Sequence, residues 1–325
     1  MQIKDNILLA PYTTFKIGGE ARYFAVVKNL EDLKEGVNFA LQNSLPLFVL
    51  GGGSNLLISD QGFNGLVLKM EIKDLETRFP SDDEAEVVVG AGVVLDDLIE
   101  ETIKNGLVGL ENLSWIPGTV GASVVQNCGA YGVEVGDLVK WVEIFDIDTR
   151  ETCLPAGRLK KLSNADCDFS YRNSIFKKKS NWIVVRVVYK LKKEEFKNEA
   201  QNKREETIQK RKENSPLKDG FGSAGCFFKN PIIPKNEAEN LKKQFPEIPI
   251  FEEGDLRKIS LGWLLDNLNW KGFSEGDVGV YDKHALMLVN KGEGTCEEIK
   301  NLAEKIKKDV KEKTNLDIES EVVFL

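Results

Sequence analysis

The sequence predicts an α+β protein built from two domains, and three observations lead to this prediction. The chain has 325 residues, which exceeds the length of one typical domain. Strand-like segments outnumber helix-like segments as far as residue 191. Residues 192–212 are then almost wholly charged or polar, and the roughly 110–120 residues after them are enough for a separate core. We place the first domain at 1–192, a linking helix at 193–215 and the second domain at 216–325.

Apolar spacing predicts the elements of the first domain, whose two α/β lobes divide near residues 70–80. A helix begins after Asn29, a good N-cap residue, because apolar residues recur behind it at helical spacing. A second helix at 95–105 carries its apolar residues on one side and ends at Gly106. The predicted strands are 21–27, 47–50, 65–70, 86–90, 140–147 and 182–191.

The second domain reads as alternating helices and strands. Helices are predicted at 236–245 and 259–268, and a third runs from Thr295 to about residue 313. Thr295 and Glu298 have the spacing of a capping box, which marks the start of that helix. Strands are predicted at 285–289 and 318–325.

Charge and composition narrow the class of protein. The net charge of −8 argues against non-specific binding to DNA or to an anionic membrane. Lysine-rich runs at 177–179 and 203–212 are interpreted as solvated faces. Neither a signal-peptide start nor a stretch of roughly 18 apolar residues is present. We therefore expect a soluble, cytoplasmic and monomeric protein without a nucleic-acid partner or membrane insertion.

The cysteines argue against a disulfide framework and against a zinc site. There are five, an odd number, and no two of them form a C-x-x-C pair. Such a set is typical of reduced thiols in a cytosolic protein. No metal is expected, and all but Cys226 are interpreted as inert core residues, namely Cys128, Cys153, Cys167 and Cys296.

A glycine run indicates a possible phosphate cradle. Gly51, Gly52 and Gly53 are followed by Ser54, Asn55 and Leu56, so successive backbone N–H groups can form an anion-binding turn. A simple hairpin turn explains the run almost as well. The dinucleotide fingerprint G-x-G-x-x-G is absent, and Gly90-Ala91-Gly92 lacks its third glycine, which disfavours a Rossmann fold.

Residues 115–132 form a second segment rich in small residues and amide side chains. A backbone of this kind suits close approach to a large flat ligand and its pyrophosphate. A buried glycine-rich loop is the alternative interpretation.

Residues 221–231, FGSAGCFFKNP, contain the most informative side chain. Cys226 stands between Gly225 and two phenylalanines, and an accessible thiol in such a place can donate a proton. Arg172, in the segment Tyr171-Arg172-Asn173-Ser174, supplies a fixed cation. Together with the glycine segments, these residues indicate a redox enzyme.

These segments resemble the UDP-N-acetylenolpyruvoylglucosamine reductase family. The resemblance implies a flavoenzyme of peptidoglycan precursor synthesis, with FAD held non-covalently in a domain of the vanillyl-alcohol-oxidase (PCMH) type and a smaller C-terminal α+β substrate domain. NADPH reduces the flavin, which passes hydride to the enolpyruvyl group of UDP-N-acetylglucosamine enolpyruvate and yields UDP-N-acetylmuramate. The matching stretches, in the order of the family, are 12–19, 50–55, 109–132, 171–177, 222–231 and 319–324.

The resemblance implies three catalytic residues. Arg172 would stabilise the negative charge that forms at C2 and spreads into the substrate carboxylate, a role suited to a guanidinium. Cys226 would protonate C2, since a thiol with a pKa near 8.5 is a far stronger acid than an alcohol. Glu321 matches the third position, and we hypothesise that it acts in its protonated form, because an ionised carboxylate would repel that of the substrate.

The resemblance also implies binding residues. Tyr171, Lys229 and Asn230 are expected to contact the substrate. The residues expected to hold FAD are Gly51, Gly52, Gly53, Ser54, Asn55, Leu56, Pro117, Gly118, Thr119, Gly121, Ala122, Asn127, Gly129 and Ala130. The single histidine, His284, is interpreted as structural.

One departure points to a subtype. Family members with a tyrosine loop that clamps the substrate have a longer interval between the arginine and the proton donor. Arg172 and Cys226 are only 54 positions apart (226 − 172), and the charged run between them contains no tyrosine. The chain is therefore similar to the type II members, which lack that loop, and no residue is assigned to the clamp.

Two alternatives remain open at this point. One is a non-covalent FAD-linked oxidase of the same fold, and the other is a non-catalytic nucleotide-sugar binding protein. Flavin absorption separates the binding protein from the enzymes. NADPH consumption that depends on the enolpyruvyl sugar separates a reductase from an oxidase.

Overall fold

The computed structural model describes residues 1–147, 157–193 and 197–325, so that Cys153 lies outside the described residues. The strands in chain order are β1 (Ile3–Leu8), β2 (Glu20–Val27), β3 (Leu47–Leu50), β4 (Leu56–Leu57), β5 (Phe63–Met70), β6 (Leu75–Arg78), β7 (Glu84–Gly90), β8 (Leu107–Val108), β9 (Gly129–Ala130), β10 (Val133–Glu134), β11 (Val139–Asp146), β12 (Arg158–Ser163), β13 (Trp182–Lys193), β14 (Ile232–Pro234), β15 (Ile250–Glu253), β16 (Leu256–Ile259), β17 (Ser274–Glu275), β18 (Val278–Val280), β19 (Leu288–Asn290) and β20 (Val323–Phe324). The helices are α1 (Leu30–Gln42), α2 (Leu95–Lys104), α3 (Val120–Gln126), α4 (Val135–Leu138), α5 (Ile175–Lys178), α6 (Lys197–Glu213), α7 (Lys235–Gln244), α8 (Leu261–Asn267) and α9 (Cys296–Thr314).

The chain divides into two compact units, each assembled from separate segments. The first comprises Met1–Ile7, Ala21–Gly52 and Phe63–Lys212, and the second comprises Leu8–Glu20, Gly53–Gly62 and Glu213–Leu325. Two short segments that the sequence analysis placed in the first domain, 8–20 and 53–62, thus belong to the second unit. The assignment of cofactor and substrate binding to separate domains stays a prediction.

Two main sheets form the first unit. The four-stranded sheet has the order β1-β2-β5-β3, and β5 pairs in parallel with β2 and β3. The larger sheet has the order β12-β11-β13-β7-β6, with antiparallel neighbours, and β8 also pairs with β13. The first sheet ends at Met70 and the second begins at Leu75, and the division into two lobes near residues 70–80 stays a prediction.

The helices of the first unit follow the apolar pattern of the sequence. Helix α1 connects β2 to β3 and buries Leu33 and Val37 in the core. Its N-cap is Asn29, whose Oδ1 accepts a hydrogen bond from the Asp32 N–H at 2.8 Å. This contact satisfies one of the N–H groups that a helix leaves unpaired at its start.

Three small sheets and a long helix form the second unit. The sheets have the orders β14-β16-β15, β17-β18-β19 and β20-β4, and the last pair is parallel. Helix α9 begins with the capping box formed by Thr295 and Glu298. Phe15 and Phe227 lie in the core of this unit, with ring centroids 6.4 Å apart in an edge-on arrangement.

Most predicted elements are confirmed to within a few residues, but two strands of the second unit are wrong. The strand predicted at 285–289 begins only at Leu288, because the Met287 N–H bonds back to the His284 carbonyl at 3.0 Å and closes a turn. The strand predicted at 318–325 is reduced to Val323–Phe324. Its preceding residues pair with a different segment, since the Glu321 N–H donates to the Phe227 carbonyl at 2.8 Å.

Helix α6 lies within the predicted linking helix, but it corrects the interpretation of the charged run 203–212 as solvated faces. Up to Lys212 the helix belongs to the first unit. Ala200, Arg204 and Thr207, which follow each other at helical spacing, are buried. The solvated interpretation is therefore wrong for Arg204.

Among the described helices, none is long and apolar enough to cross a bilayer.

The glycine at position 53 is required by close packing within the second unit. Gly53 has a φ of +65°, and a Cβ atom there would lie 2.0 Å from the carbonyl oxygen of Tyr12. Its own carbonyl accepts a hydrogen bond from the Thr14 N–H at 3.1 Å. The segments 12–14 and 53–55 therefore lie backbone against backbone.

We predict that Gly53→Ala destabilises the protein far more than Gly254→Ala. Gly254 has a similar φ of +56° but open space around it, so an alanine there should cost about 1 kcal/mol. At position 53 the methyl group also overlaps a carbonyl oxygen, and the free energy of unfolding should fall by about 3 kcal/mol or more. Urea denaturation of the flavin-free variants measures both values. Equal losses would contradict the packing argument.

Candidate active site

In the first unit, two glycine turns meet without intervening side chains. A Cβ atom on Gly52 would lie 2.5 Å from the Cα of Gly118, and one on Gly51 would lie 2.8 Å from the Thr119 Oγ1. Gly118 itself has a φ of +131°. The turn at 51–52 and the turn at 117–119 consequently form one surface made largely of backbone, which side chains at these glycines would destroy.

Polar groups surround this backbone surface. The Thr119 side chain is buried, and its hydroxyl has no hydrogen-bond partner among the described residues. Lys69 donates a hydrogen bond to the Gly51 carbonyl oxygen, and burial lowers the pKa of its ammonium group from the ordinary value. An unmatched hydroxyl beside bare backbone is an arrangement that a polar ligand such as a phosphate would complete.

Arg172 is held in an unusual conformation in the first unit. Its φ is +53°, within a turn in which Ser170 and Asn173 exchange backbone hydrogen bonds of 2.9 and 3.1 Å. The guanidinium donates to the Gly129 carbonyl at 2.8 Å and stacks 5.2 Å from the centroid of the Tyr171 ring. The side chain is 19% exposed, so the cation is positioned rather than mobile in solvent.

Asn127 ties the surroundings of Arg172 together. Its amide nitrogen donates to Glu134 Oε2 at 2.7 Å and to the Ser170 carbonyl at 2.9 Å, and its oxygen accepts from the Gly136 N–H at 2.9 Å. The residue is buried and ends α3 with a φ of +47°. These contacts give the Asn127 amide a structural role, and a contact between its side chain and a cofactor stays a prediction.

A short hairpin carries two further residues expected at the cofactor. Gly129 and Ala130 form β9, which pairs with β10 in the register Glu134 to Gly129. Glu134 Oε1 lies 4.0 Å from a guanidinium nitrogen of Arg172. The hairpin thus presents a carbonyl and a carboxylate to the same guanidinium.

In the second unit, the segments of Cys226, Glu321 and Asn55 are adjacent. The Glu321 N–H donates to the Phe227 carbonyl at 2.8 Å, and the Asn55 amide donates to the Glu321 carbonyl at 3.1 Å. Cys226 is half-buried and follows Gly225, whose φ is +76°. The structure therefore brings the backbones of two expected catalytic residues together.

Lys229 and Asn230 make contacts inside the second unit. The Lys229 ammonium lies 3.0 Å from Glu319, whose side chain is 76% exposed. Asn230 Oδ1 accepts from the Leu261 N–H at 3.0 Å, at the start of α8. Glu319 is the exposed glutamate of the last segment, while Glu321 is half-buried.

His284 has the environment of a structural histidine. Its Nδ1 accepts from the Leu286 N–H at 3.4 Å, and burial lowers the pKa of the imidazole from its ordinary value. Across the described residues, no cluster of His, Cys, Asp and Glu side chains offers a metal site.

Comparison with known proteins identifies the family. The relatives named UDP-N-acetylenolpyruvoylglucosamine reductase include one from Pseudomonas aeruginosa, 36% identical over 99% of this chain and 98% of the relative, and one from Neisseria gonorrhoeae, 38% identical over 98% of this chain and 96% of the relative. The chain belongs to the UDP-N-acetylenolpyruvoylglucosamine reductase family. Models of that reductase's C-terminal domain and of an FAD binding domain match residues 215–325 and 21–151, respectively.

A solved member of the reductase family has the same fold. The crystal structure of the reductase from Thermus caldophilus covers 100% of this chain and 99% of its own, with a TM-score of 0.74 and 29% sequence identity. The resemblance inferred from the motifs is confirmed, and so is the predicted fold class of an FAD-binding domain with a C-terminal α+β domain. The assignment of individual site residues stays a prediction.

Four charged residues beside the site segments were not predicted from the sequence. Lys69 donates a hydrogen bond to the Gly51 carbonyl oxygen, and Glu134 lies beside the Arg172 guanidinium. Asp96 and Arg204 form a hydrogen bond of 2.5 Å with each other, and Asp96 also accepts one from the Trp115 N–H. The sequence of α6 is polar on all sides and does not single out Arg204. For the other three, a charged residue on a strand, hairpin or helix start does not reveal its partner in the sequence.

We predict that Asn127→Gly costs far more stability than Asn315→Gly. Both asparagines end a helix in the left-handed conformation, which glycine adopts without strain. Asn127→Gly removes three hydrogen bonds of a buried side chain and should lower the free energy of unfolding by about 3 kcal/mol. The bonds between Asn315 and Lys311 use the Asn315 backbone, so its loss should stay below about 1 kcal/mol. Similar losses in urea denaturation would refute the structural role of the Asn127 amide.

Proposed function

We propose that this protein is an FAD-dependent reductase that uses NADPH to reduce the enolpyruvyl group of UDP-N-acetylglucosamine enolpyruvate. The product is UDP-N-acetylmuramate, a precursor of peptidoglycan. One observation carries the proposal: the chain is 36% identical to a UDP-N-acetylenolpyruvoylglucosamine reductase along essentially the whole length of both proteins. Similarity of this extent includes every segment expected to bind or react.

The glycine turns of the first unit fit the cofactor. Bare backbone at Gly51, Gly52 and Gly118 and the unmatched hydroxyl of Thr119 suit the pyrophosphate of a dinucleotide. We assign FAD to these residues together with Gly53, Ser54, Asn55, Leu56, Pro117, Gly121, Ala122, Asn127, Gly129 and Ala130. FAD held there would supply the hydride-transfer chemistry that links NADPH to the enolpyruvyl double bond.

We assign to Arg172 the stabilisation of negative charge on the substrate. Hydride arriving at C3 leaves charge at C2 and in the adjoining carboxylate, and fixed donors lower the energy of that charge most when they need no reorientation. The Gly129 carbonyl and the Tyr171 ring hold the guanidinium, which supports this role. In the proposal Tyr171 also contributes to substrate binding.

We assign to Cys226 the protonation of C2. Its thiol is half-buried beside Gly225, where a substrate can approach closely. Glu321, on the hydrogen-bonded neighbouring segment, is the third catalytic residue of the proposal. Lys229 and Asn230 are assigned to the nucleotide-sugar, and Lys229 would then exchange its exposed partner Glu319 for a phosphate.

We also propose a cytoplasmic location and a monomeric state. Cys167 and Cys296 are free thiols, which is typical of proteins in reducing compartments. The monomeric state rests on the sequence analysis alone.

The two half-reactions test the proposed function. Under anaerobic conditions, NADPH should bleach the visible absorption of the flavin, and UDP-N-acetylglucosamine enolpyruvate should then restore it with one sugar reduced per flavin. Recovery with O₂ but not with the sugar would indicate an oxidase. A protein that binds the sugar but takes up no FAD would indicate a non-catalytic binding protein, and either result would refute the reductase.

We predict that Cys226→Ala separates these half-reactions. Bleaching by NADPH should change by no more than about twofold, whereas recovery with the sugar should slow by about 100-fold or more, because general-acid catalysis contributes on that scale. Cys167→Ala is the matched control, since burial raises the pKa of the Cys167 thiol to about 12 and keeps it out of proton transfer. Undiminished recovery in Cys226→Ala would exclude the thiol as the proton donor.

A further inference from the structure

Helix α6 contributes few apolar residues to the first unit and buries a charged one. Its buried residues include Arg204, whose side chain is only 8% exposed. A charged residue is almost never fully buried unless it is paired. The residue that pairs with Arg204 therefore indicates which part of the first unit α6 positions.

Arg204 binds Asp96 in a two-point contact. Its Nη1 donates to Asp96 Oδ1 at 2.5 Å, and its Nη2 donates to Oδ2 at 3.1 Å. Paired hydrogen bonds of this kind hold a carboxylate in one orientation and also stabilise its negative charge. Glu100 lies farther from the guanidinium, at 3.6 Å, and its side chain is half-exposed. Asp96 is thus the group that Arg204 orients.

The oriented carboxylate binds the backbone at one strained peptide. Asp96 Oδ1 also accepts a hydrogen bond from the Trp115 N–H at 2.6 Å. Trp115 has a φ of +61°, a left-handed conformation that costs a bulky residue about 1–2 kcal/mol. Although burial opposes ionisation, the hydrogen bonds from Arg204 and Trp115 hold the pKa of Asp96 below its ordinary value.

The strained residue lies directly before the second glycine turn. Trp115 and Ile116 lead into Pro117-Gly118-Thr119, and the Gly118 carbonyl accepts from the Leu95 N–H at 3.1 Å. Asp96 and its neighbour Leu95 on α2 therefore hold both ends of the segment 115–118.

We propose that Arg204 and Asp96 are positioning residues that hold the left-handed Trp115 peptide and thereby set the affinity of the protein for FAD. The inference rests on the proposed function, in which residues 117–119, 121 and 122 bind FAD. Neither side chain needs to touch the cofactor. Without the Arg204–Asp96 pair, residue 115 relaxes to an ordinary backbone conformation. The turn at 117–119 then loses the shape that receives the cofactor.

Titration of FAD into flavin-free protein, followed by flavin fluorescence, tests the inference. Arg204→Met should raise the dissociation constant of FAD at least about tenfold, the scale of a charge-assisted hydrogen bond, and Arg204→Lys should raise it less. Arg186→Met is the matched control, because Arg186 also binds two carboxylates, Asp74 at 2.5 Å and Glu143 at 2.8 Å, on another part of the first unit. It should leave the dissociation constant within about twofold of the wild-type value.

A double-mutant cycle separates a positioning role from a merely structural one. Glycine adopts a positive φ without strain, so in the Trp115→Gly background the same Arg204→Met change should raise the dissociation constant by no more than about threefold. An equal factor in both backgrounds, or an unchanged constant in Arg204→Met, would overturn the inference. If Arg204→Met does not fold, Arg204→Lys replaces it in the cycle. Wild-type protein that binds no FAD would instead refute the proposed function.

Discussion

Backbone strain, and the side chains that hold it, is the constraint on which the first unit's candidate site depends. Four residues in its site segments, Trp115, Asn127, Tyr131 and Arg172, have left-handed φ values between +47° and +61°. Such conformations cost of order 1–3 kcal/mol each and persist only where the surroundings enforce them. Here the groups that hold each strained residue in its conformation can be named, and they belong to the same unit.

Each strained residue is maintained in a different way. Tyr131 needs the least support from other residues. Together with Gly132 it forms the two-residue turn of the β9–β10 hairpin, where positive φ values match the twist of the strands. Asn127 supplies its own support through the hydrogen bonds of its amide. The Trp115 and Arg172 peptides depend on other residues, and this dependence is what makes a distant charged pair relevant to the chemistry.

The sequence was sufficient for the longer elements with clear apolar spacing. Six strands before residue 193 follow apolar runs, namely β2, β3, β5, β7, β11 and β13, and α1 and α9 begin at recognisable capping residues, Asn29 and Thr295. It was insufficient where a segment changes partners. Residues 318–325 have an alternating pattern typical of one strand, but they bond first to Phe227 and then to Asn55, and no local signal marks such an exchange.

For the candidate site, the sequence by itself determined the family and the chemistry, because motifs retain their order along the chain. It also predicted the reactive residue types, because a guanidinium, a thiol and a carboxyl each have a characteristic reactivity. Only the tertiary structure decided which residues support them. Asp96 and Arg204 are 108 positions apart, and each looks like an ordinary solvated helix residue in its local context. Their roles come from burial and from pairing with each other, which depend on the folded arrangement of distant segments and leave no mark on neighbouring residues in the sequence.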